Sequence, residues 1–127
     1  MVIGGAGFIG TNLCLSALRK KLEVVIFDNF SRKGTELNLQ TIQNDSPGGL
    51  EVIAGDIRSV EDLEELFDKH PDMDVIFHQA AQVAVTDSVR DPREDFEINA
   101  VGTFNILETM RRKKVDGLLL YSSTNKV

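Results

Sequence analysis

Cysteine, tryptophan, tyrosine and proline are all scarce in this 127-residue chain, with one, none, one and three copies respectively. A lone Cys14 excludes an intramolecular disulfide, so the fold must rest on its own core, and it suits a reducing, cytoplasmic setting. His78 has no second His, Cys or carboxylate at ligand spacing, so no metal site is read and a structural role is expected for it. His70, just before Pro71, suits the C-terminal end of a helix dipole. No apolar run approaches the ~20 residues of a membrane-spanning helix. No basic segment followed by an apolar one marks an export signal. Basic residues are outnumbered, 14 Lys and Arg against 20 Asp and Glu, for a net charge of −6. Such a surface repels nucleic-acid phosphates, and no basic stripe with interleaved aromatics offsets it. Internal repeats and low-complexity segments are also lacking. What remains is a globular composition, 42% hydrophobic and 27% charged, with enough length for one domain and its core.

Strand-like apolar runs alternate with helix-like stretches along the whole chain. Residues 1–3 are the stub of a first strand. The spacing of Leu13, Ala17 and Leu18 predicts a helix over 8–20. Residues 23–27, rich in Val and Ile, form a second strand. A short helix over 36–43 is stopped by Ser46-Pro47-Gly48-Gly49. Residues 50–54 are a third strand. Ser59, with Asp62 three residues on, caps a helix reaching about Lys69. Residues 74–78 are a fourth strand. A long helix over 93–113 carries Phe96, Val101, Phe104, Ile106 and Leu107 as its apolar positions, and 117–121 is a fifth strand. This alternation implies parallel pairing through right-handed crossovers. The expected architecture is α/β, a doubly wound parallel sheet of order 3-2-1-4-5 that stops after the fifth strand. Ligands of such sheets sit beyond the carboxyl ends of the strands at the switch point, here between strands 1 and 4.

Function is therefore read from the residues just beyond each strand. Strand 1 leads into Gly4-Gly5-Ala6-Gly7-Phe8-Ile9-Gly10. Gly4 permits the tight turn, Gly7 leaves the backbone open to a pyrophosphate, and Gly10 lets the helix pack closely. The phosphates would meet the free N–H groups of the helix opening at Phe8 and Ile9. A glycine turn that binds nothing is the plain alternative, but this one follows a strand and opens a helix, as the mechanism requires. Strand 2 ends in Asp28-Asn29, 18 residues beyond Gly10. An acidic side chain there accepts from both adenosine ribose hydroxyls and repels a 2′-phosphate, which favours NAD over NADP. Arg32 and Lys33 blur that preference: they are either a solvated loop pair or takers of a phosphate. Strand 3 is followed by Gly55-Asp56-Ile57, where the carboxylate serves either an adenine amino group or its own turn. After strand 4, Gln79-Ala80-Ala81-Gln82 lets a dinucleotide backbone lie against the strand end. After strand 5, Ser122-Ser123-Thr124 places hydroxyls where a nicotinamide and a substrate would meet, or where they cap the strand end.

Taken together, the glycine turn, Asp28-Asn29, Gly55-Asp56-Ile57, His78-Gln79-Ala80-Ala81, Asn99 and Ser122-Ser123-Thr124 resemble the extended short-chain dehydrogenases/reductases, the NAD-dependent epimerase/dehydratase family. The resemblance runs over the whole chain. The blocks Phe27 to Gly34, Gln82 to Thr86, Asp95 to Asn99 and Tyr121 to Val127 look most like its CDP-paratose 2-epimerase branch. The resemblance implies a Rossmann-like NAD-binding domain over 1–127 and a parent that epimerises a nucleotide sugar by transient oxidation of one sugar carbon. UDP-glucose 4-epimerases and dTDP-glucose 4,6-dehydratases are the neighbouring alternatives. A non-catalytic NAD-binding module and a decayed, poorly folding remnant are the others. By resemblance, Asp28, Asn29, Ser31 and Arg32 would surround the adenine ribose, and Asp56 and Ile57 the adenine. Gly4, Gly7, Phe8, Ile9 and Gly10 would cradle the phosphates. Ala80, Ala81 and Gln82 would line the path to the nicotinamide ribose. Asn99 would support the site, Ser122 would approach the nicotinamide, and Thr124 would hold the position that polarises the reacting oxygen.

Two departures qualify these expectations. Dehydratases follow that Thr with Asp-Glu, whereas Asn125 and Lys126 stand here, which disfavours dehydration. The family's Tyr-x-x-x-Lys, which needs i, i+4 spacing on one helix face, is missing, and Tyr121 with Lys126 cannot replace it. The expectation is thus an incomplete domain, inactive by itself, from a longer and dimeric enzyme. Phe96 and Phe104 would then leave an exposed apolar patch.

Overall fold

The structure, a computed structural model, describes residues 1–45 and 48–123. Five strands, β1 (Val2–Ile3), β2 (Val24–Asp28), β3 (Leu50–Ala54), β4 (Val75–His78) and β5 (Leu118–Tyr121), form one sheet of order β3-β2-β1-β4-β5. Every pairing is parallel. The crossovers are α1 (Phe8–Arg19), α2 (Thr35–Asp45) and α3 (Val60–Lys69). A longer return follows through α4 (Val85–Arg90), α5 (Pro92–Phe96), a π-helical turn (Glu97–Val101) and α6 (Gly102–Lys113). The expected order is the observed one. Right-handed βαβ units wound outward from a central strand leave the switch point between β1 and β4.

Two cores flank the sheet. Cys14, Val2, Val24, Ile26 and Ile42 are buried under α1 and α2. On the opposite face Ile3, Phe27, Leu63, Leu66, Phe67, Ile76, Ile106 and Met110 are buried under α3 and α6. The strands β1 and β2 are buried on both faces, which is why they read as unbroken apolar runs rather than alternating ones. Central β1 is short but well tied. Val2 pairs with Ile26 and Phe77, and Ile3 with Phe27 and His78. Beyond its ends, Gly4 N–H donates to Phe27 O at 2.8 Å, Gln79 N–H to Ile3 O at 2.8 Å and Phe77 N–H to Met1 O at 3.0 Å. The backbone ladder therefore continues past the two residues with strand geometry.

The long second half differs from expectation in two places. The helix α4 was not anticipated, and the predicted helix over 93–113 is broken by the π turn, in which Gly102 N–H reaches Glu97 O. The apolar positions of that helix also divide. Ile106 is fully buried, whereas Phe96, Phe104 and Leu107 are half or more exposed. The buried face of α6 is completed instead by Gly102, Asn105, Thr109 and Met110. Gly102 sits there because a Cβ would lie 2.5 Å from Ile57 Cδ1. At α3 the Ser59 cap is as predicted, its hydroxyl accepting from Asp62 N–H at 3.1 Å. Asp62 does not close a capping box. Its second oxygen accepts from Asp56 N–H at 2.8 Å and ties the helix to the loop after β3. Ser46 and Pro47, part of the predicted stop after α2, lie outside the described residues. Among those described, no helix is long and apolar enough to cross a membrane.

Candidate functional site

A cleft of about 340 Å³ opens along the carboxyl ends of β1, β2, β3 and β4. That volume falls within the ~300–1,000 Å³ of small-ligand and cofactor sites. Its floor is the glycine turn. Gly4 turns out of β1 at φ +82°, a conformation that glycine adopts without strain, and a Cβ there would strike Ala80 N at 2.4 Å. Gly10 is packed against the turn itself, where a Cβ would lie 2.2 Å from Gly4 O and 2.7 Å from Gly5 Cα. Gly7 faces open space apart from Gly4 O at 3.3 Å. As the N-cap of α1, Gly7 provides no side-chain acceptor, so the first-turn N–H groups of the helix are left to whatever fills the cleft.

The acidic end of β2 is coupled to that turn. Asp28 accepts from Ala6 N–H at 3.0 Å with one carboxylate oxygen and from Phe30 N–H at 2.9 Å with the other. Each oxygen keeps acceptor capacity toward the cleft, since an ionised carboxylate takes about four hydrogen bonds. Asn38 on α2 grips the same turn by donating to Ala6 O at 2.7 Å. Asn29 donates to Asp56 at 3.0 Å and accepts from Ser31 N–H at 3.1 Å, bridging the loops after β2 and β3. Asp56 is more heavily engaged than expected. Arg58 contacts both its oxygens, the shortest distance being 2.7 Å, and donates its own backbone N–H at 2.9 Å. The guanidinium, helped by the Asn29 amide, holds the Asp56 carboxyl down at about 2. The turn-chemistry reading of Asp56 is thus realised, and the residue still lines the cleft. Arg32 and Lys33 lie on the rim with no ion pair among the described residues.

The far wall is the segment after β4. Ala80, Ala81 and Gln82 line the cleft, and Asn99 holds Gln82 from both sides: Gln82 N–H donates to Asn99 Oδ1 at 2.9 Å, and Asn99 Nδ2 donates to Gln82 O at 3.0 Å. Asn99 occupies the π turn, a distortion that recurs at functional sites. His78 is buried, its Nε2 2.9 Å from Thr103 Oγ1 and its ring 5.3 Å from that of Tyr121. Burial pushes the imidazole down to about 4, so it is neutral near pH 7. No group of three or more His, Cys, Asp or Glu suited to a metal occurs among the described residues.

This arrangement is matched in sequence as well as in shape, since the model of the NAD dependent epimerase/dehydratase family matches residues 1–127. The chain belongs to that family. It is 44% identical over its whole length to CDP-paratose 2-epimerase of Salmonella typhi and spans 37% of that protein. It superposes on the Thermus thermophilus UDP-glucose 4-epimerase complex with NAD with a TM-score of 0.79 at 35% identity, over 97% of this chain and 36% of that one. For the Stenotrophomonas maltophila UDP-glucose-4-epimerase with bound NAD and formylated UDP-arabinopyranose the TM-score is 0.88 at 28% identity, over 99% and 37%. The chain thus spans a little over a third of the length of these relatives.

Within this member of the epimerase/dehydratase family, Gly4, Gly7, Asp28, Asn29, Ser31, Arg32, Asp56, Ile57, Ala80, Ala81 and Gln82 converge on one cleft. Phe8, Ile9, Gly10, Asn99 and Ser122 do not line it. The Phe8 and Ile9 side chains point to solvent, 83% and 58% exposed, so any part they take is through their backbone. Gly10 lies beneath the turn, and Asn99 acts on Gln82. The Ser122 hydroxyl accepts from Gln79 Nε2 at 2.8 Å at the neighbouring strand end. Thr124, like Asn125 and Lys126, lies outside the described residues. Sequence reasoning missed the braces: Asn38, Arg58, Thr103, and Asn105, whose buried amide donates to Ile57 O at 3.1 Å and Arg58 O at 3.2 Å. None of these four carried a periodic sequence signal: Asn38 and Asn105 act on backbone groups far along the chain, Thr103 on the Asn99 carbonyl four residues back, and Arg58 on Asp56 two residues back.

Proposed function

We propose that residues 1–127 are the NAD-binding domain of a nucleotide-sugar epimerase. The observation that carries this reading is the direct hydrogen bond from Ala6 N–H in the glycine turn to Asp28, which fixes a ribose acceptor to a phosphate cradle. On this reading the adenine ribose meets Asp28, Asn29, Ser31 and Arg32, and the adenine meets Asp56 and Ile57. The pyrophosphate lies over Gly4, Gly7 and Gly10 at the Phe8 and Ile9 amides, where helix dipole and free N–H groups favour negative charge. The nicotinamide half extends along Ala80, Ala81 and Gln82 toward Ser122, with Asn99 holding the wall. When bound, NAD supplies a hydride acceptor for a sugar carbon. Thr124, three residues past Tyr121 in the sequence, is the residue we assign to polarising the reacting oxygen.

The CDP-paratose 2-epimerase reading is favoured by the 44% identity with the Salmonella enzyme. A UDP-glucose 4-epimerase is the second reading, favoured by the superposition on NAD-bound enzymes of that activity. The 127-residue chain has no Tyr-x-x-x-Lys, so by itself it is expected to leave every nucleotide sugar unchanged. Turnover is assigned to a longer protein that supplies this pair and a substrate domain. We also assign the exposed Phe96, Phe104 and Leu107 face to a homodimer contact in that protein, and a cytoplasmic setting to the chain.

Calorimetric titration of the chain with NAD+ and NADP+ tests the cofactor assignment. NAD+ should bind at least about tenfold more tightly than NADP+, a difference of about 1.4 kcal/mol. Substituting Asp28→Ala should erase most of that gap. Equal affinities, or binding of neither dinucleotide, would overturn the assignment.

A further inference from the structure

Cofactor placement leaves without a role one row of polar groups that starts from the buried His78. His78 closes β4 and is 1% exposed, yet it does not line the cleft, and neither does Thr103. The Thr103 hydroxyl lies 2.7 Å from Asn99 O and 2.9 Å from His78 Nε2. A hydroxyl has one proton and a carbonyl can only accept, so Thr103 donates to Asn99 and accepts from His78. The imidazole is thereby fixed as its Nε2–H tautomer. Nδ1 is left as a bare, buried acceptor without a partner among the described residues. The direction of every bond in the row is then set: His78 donates to Thr103, and Thr103 donates to the backbone of the π turn at Asn99. The Asn99 side chain clamps both backbone groups of Gln82 and donates to Asp95, which in turn accepts from Ser88. The row leaves the sheet at residue 78, crosses to the helix and returns to the cleft wall at residue 82.

We propose that His78 and Thr103 are positioning residues for the nicotinamide half of the site: through the Asn99 carbonyl they set the π turn, so that Asn99 holds the Gln82 backbone where the nicotinamide ribose meets the end of β4. The inference rests on the NAD-binding reading above. It goes beyond that reading by predicting that the two halves of the dinucleotide are controlled separately. The adenosine half is held by the loops after β2 and β3, whose ties to Ala6, Asn38 and Arg58 share no residue with this row.

The test compares NAD+ with ADP, which carries the adenosine half and no nicotinamide ribose. Thr103→Val keeps the branched shape and removes the hydroxyl, and Thr103→Ser restores it. In calorimetry on the 127-residue chain, Thr103→Val should raise the NAD+ Kd about fivefold or more and leave the ADP Kd within about twofold, for a loss of about 1 kcal/mol confined to one half. Thr103→Ser should return NAD+ binding to near the wild-type value. A substitution that only loosens the fold would weaken both ligands together, and that result, or no change for either, overturns the proposal while the cofactor reading stands. Failure of the wild-type chain to bind either ligand overturns both. A measurement on the unsubstituted chain does not depend on how Thr103→Val folds. The ¹⁵N resonances of the His78 ring and the Gln82 amide should shift on saturation with NAD+ and stay in place with ADP, and equal shifts with both would refute it.

Discussion

Acid should destabilise this fold through the buried imidazole of His78. The perturbation is a drop from pH 7.5 to pH 5.0. Burial depresses the imidazole to about 4, against 6.5 for the unperturbed group. Below pH 6.5 the unfolded chain takes up a proton that the folded chain refuses, so stability is fully present above 6.5, falls as pH drops through this window, and levels off below about 4. The full gap corresponds to about 3 kcal/mol, of which about 2 kcal/mol is lost by pH 5.0. With the ring 1% exposed, solvent screening does not reduce that figure much. For a domain whose total stability is of order 5–15 kcal/mol, this is a large fraction. The Asp56 carboxyl, held at about 2 by Arg58, loses its stabilising contribution only as pH falls from 3.8 toward 2, so it does not overlap. The Met1 amino group, also depressed by burial, acts alike in the wild type and a His78 variant and cancels in the comparison.

Urea unfolding followed by far-ultraviolet circular dichroism, at both pH values, on wild type and His78→Gln, measures the effect. Gln retains a donor for Thr103 and cannot take up a proton. The wild type should lose about 2 kcal/mol more than the variant between pH 7.5 and 5.0. Equal losses in the two proteins, or an NMR titration of His78 with a midpoint above 6, would refute the argument from burial.

Glycine substitutions separate structure from ligand contact. Gly10→Ala would set a Cβ 2.2 Å from one backbone oxygen and should cost about 3 kcal/mol or more in urea. Gly7→Ala meets only Gly4 O at 3.3 Å, so it should stay within about 1 kcal/mol of wild type while raising the NAD+ Kd about tenfold by calorimetry. Asn105→Ala leaves Ile57 O and Arg58 O without their buried donor, and its urea midpoint should reveal a loss of about 1–3 kcal/mol. Arg58→Met should let the Asp56 carboxyl rise from about 2 toward its ordinary 3.8, followed by ¹³C NMR of the carboxyl.

The parts of this fold that were legible in the sequence are those set by local chemistry. Val24 to Phe27 reads as a buried strand because both faces are covered, and the strand order follows from the crossover rule once strands and helices alternate. Gly4 and Gly10 were legible because only glycine tolerates the contacts found there. Asp28 stood out by its type and its distance from the glycines, and the structure ties it to the glycine turn through Ala6 N–H and sets it on the cleft. The Ser59 cap was legible because it acts within one helical turn. By contrast, α4 has six residues and no buried side chain, so no apolar period marks it. The π turn hid because Phe96, Val101 and Phe104 read as an apolar stripe, yet the first and last of these face outward, and the packed face of α6 is built partly of Asn105 and Thr109.

What the sequence did not expose has a common physical form: a polar side chain whose partner is a backbone group far along the chain. Asn38 reaches Ala6 across 32 residues, Asn105 reaches Ile57 across 48, and Asn99 reaches Gln82 across 17. Read locally, each is an ordinary helical asparagine, a type with below-average helix propensity and no periodic signal. Each instead satisfies carbonyls or amides of the loops beyond the strand ends, groups that no sheet ladder can pair because the strand has stopped. The cleft needs those loops irregular and open to a ligand, so their backbone must be held from outside by side chains on the helices. That requirement accounts for the same residue type at the inner surfaces of α2, the π turn and α6. It also means that asparagine substitutions at these three positions should disturb the cleft loops while leaving the strand pairing beneath them intact.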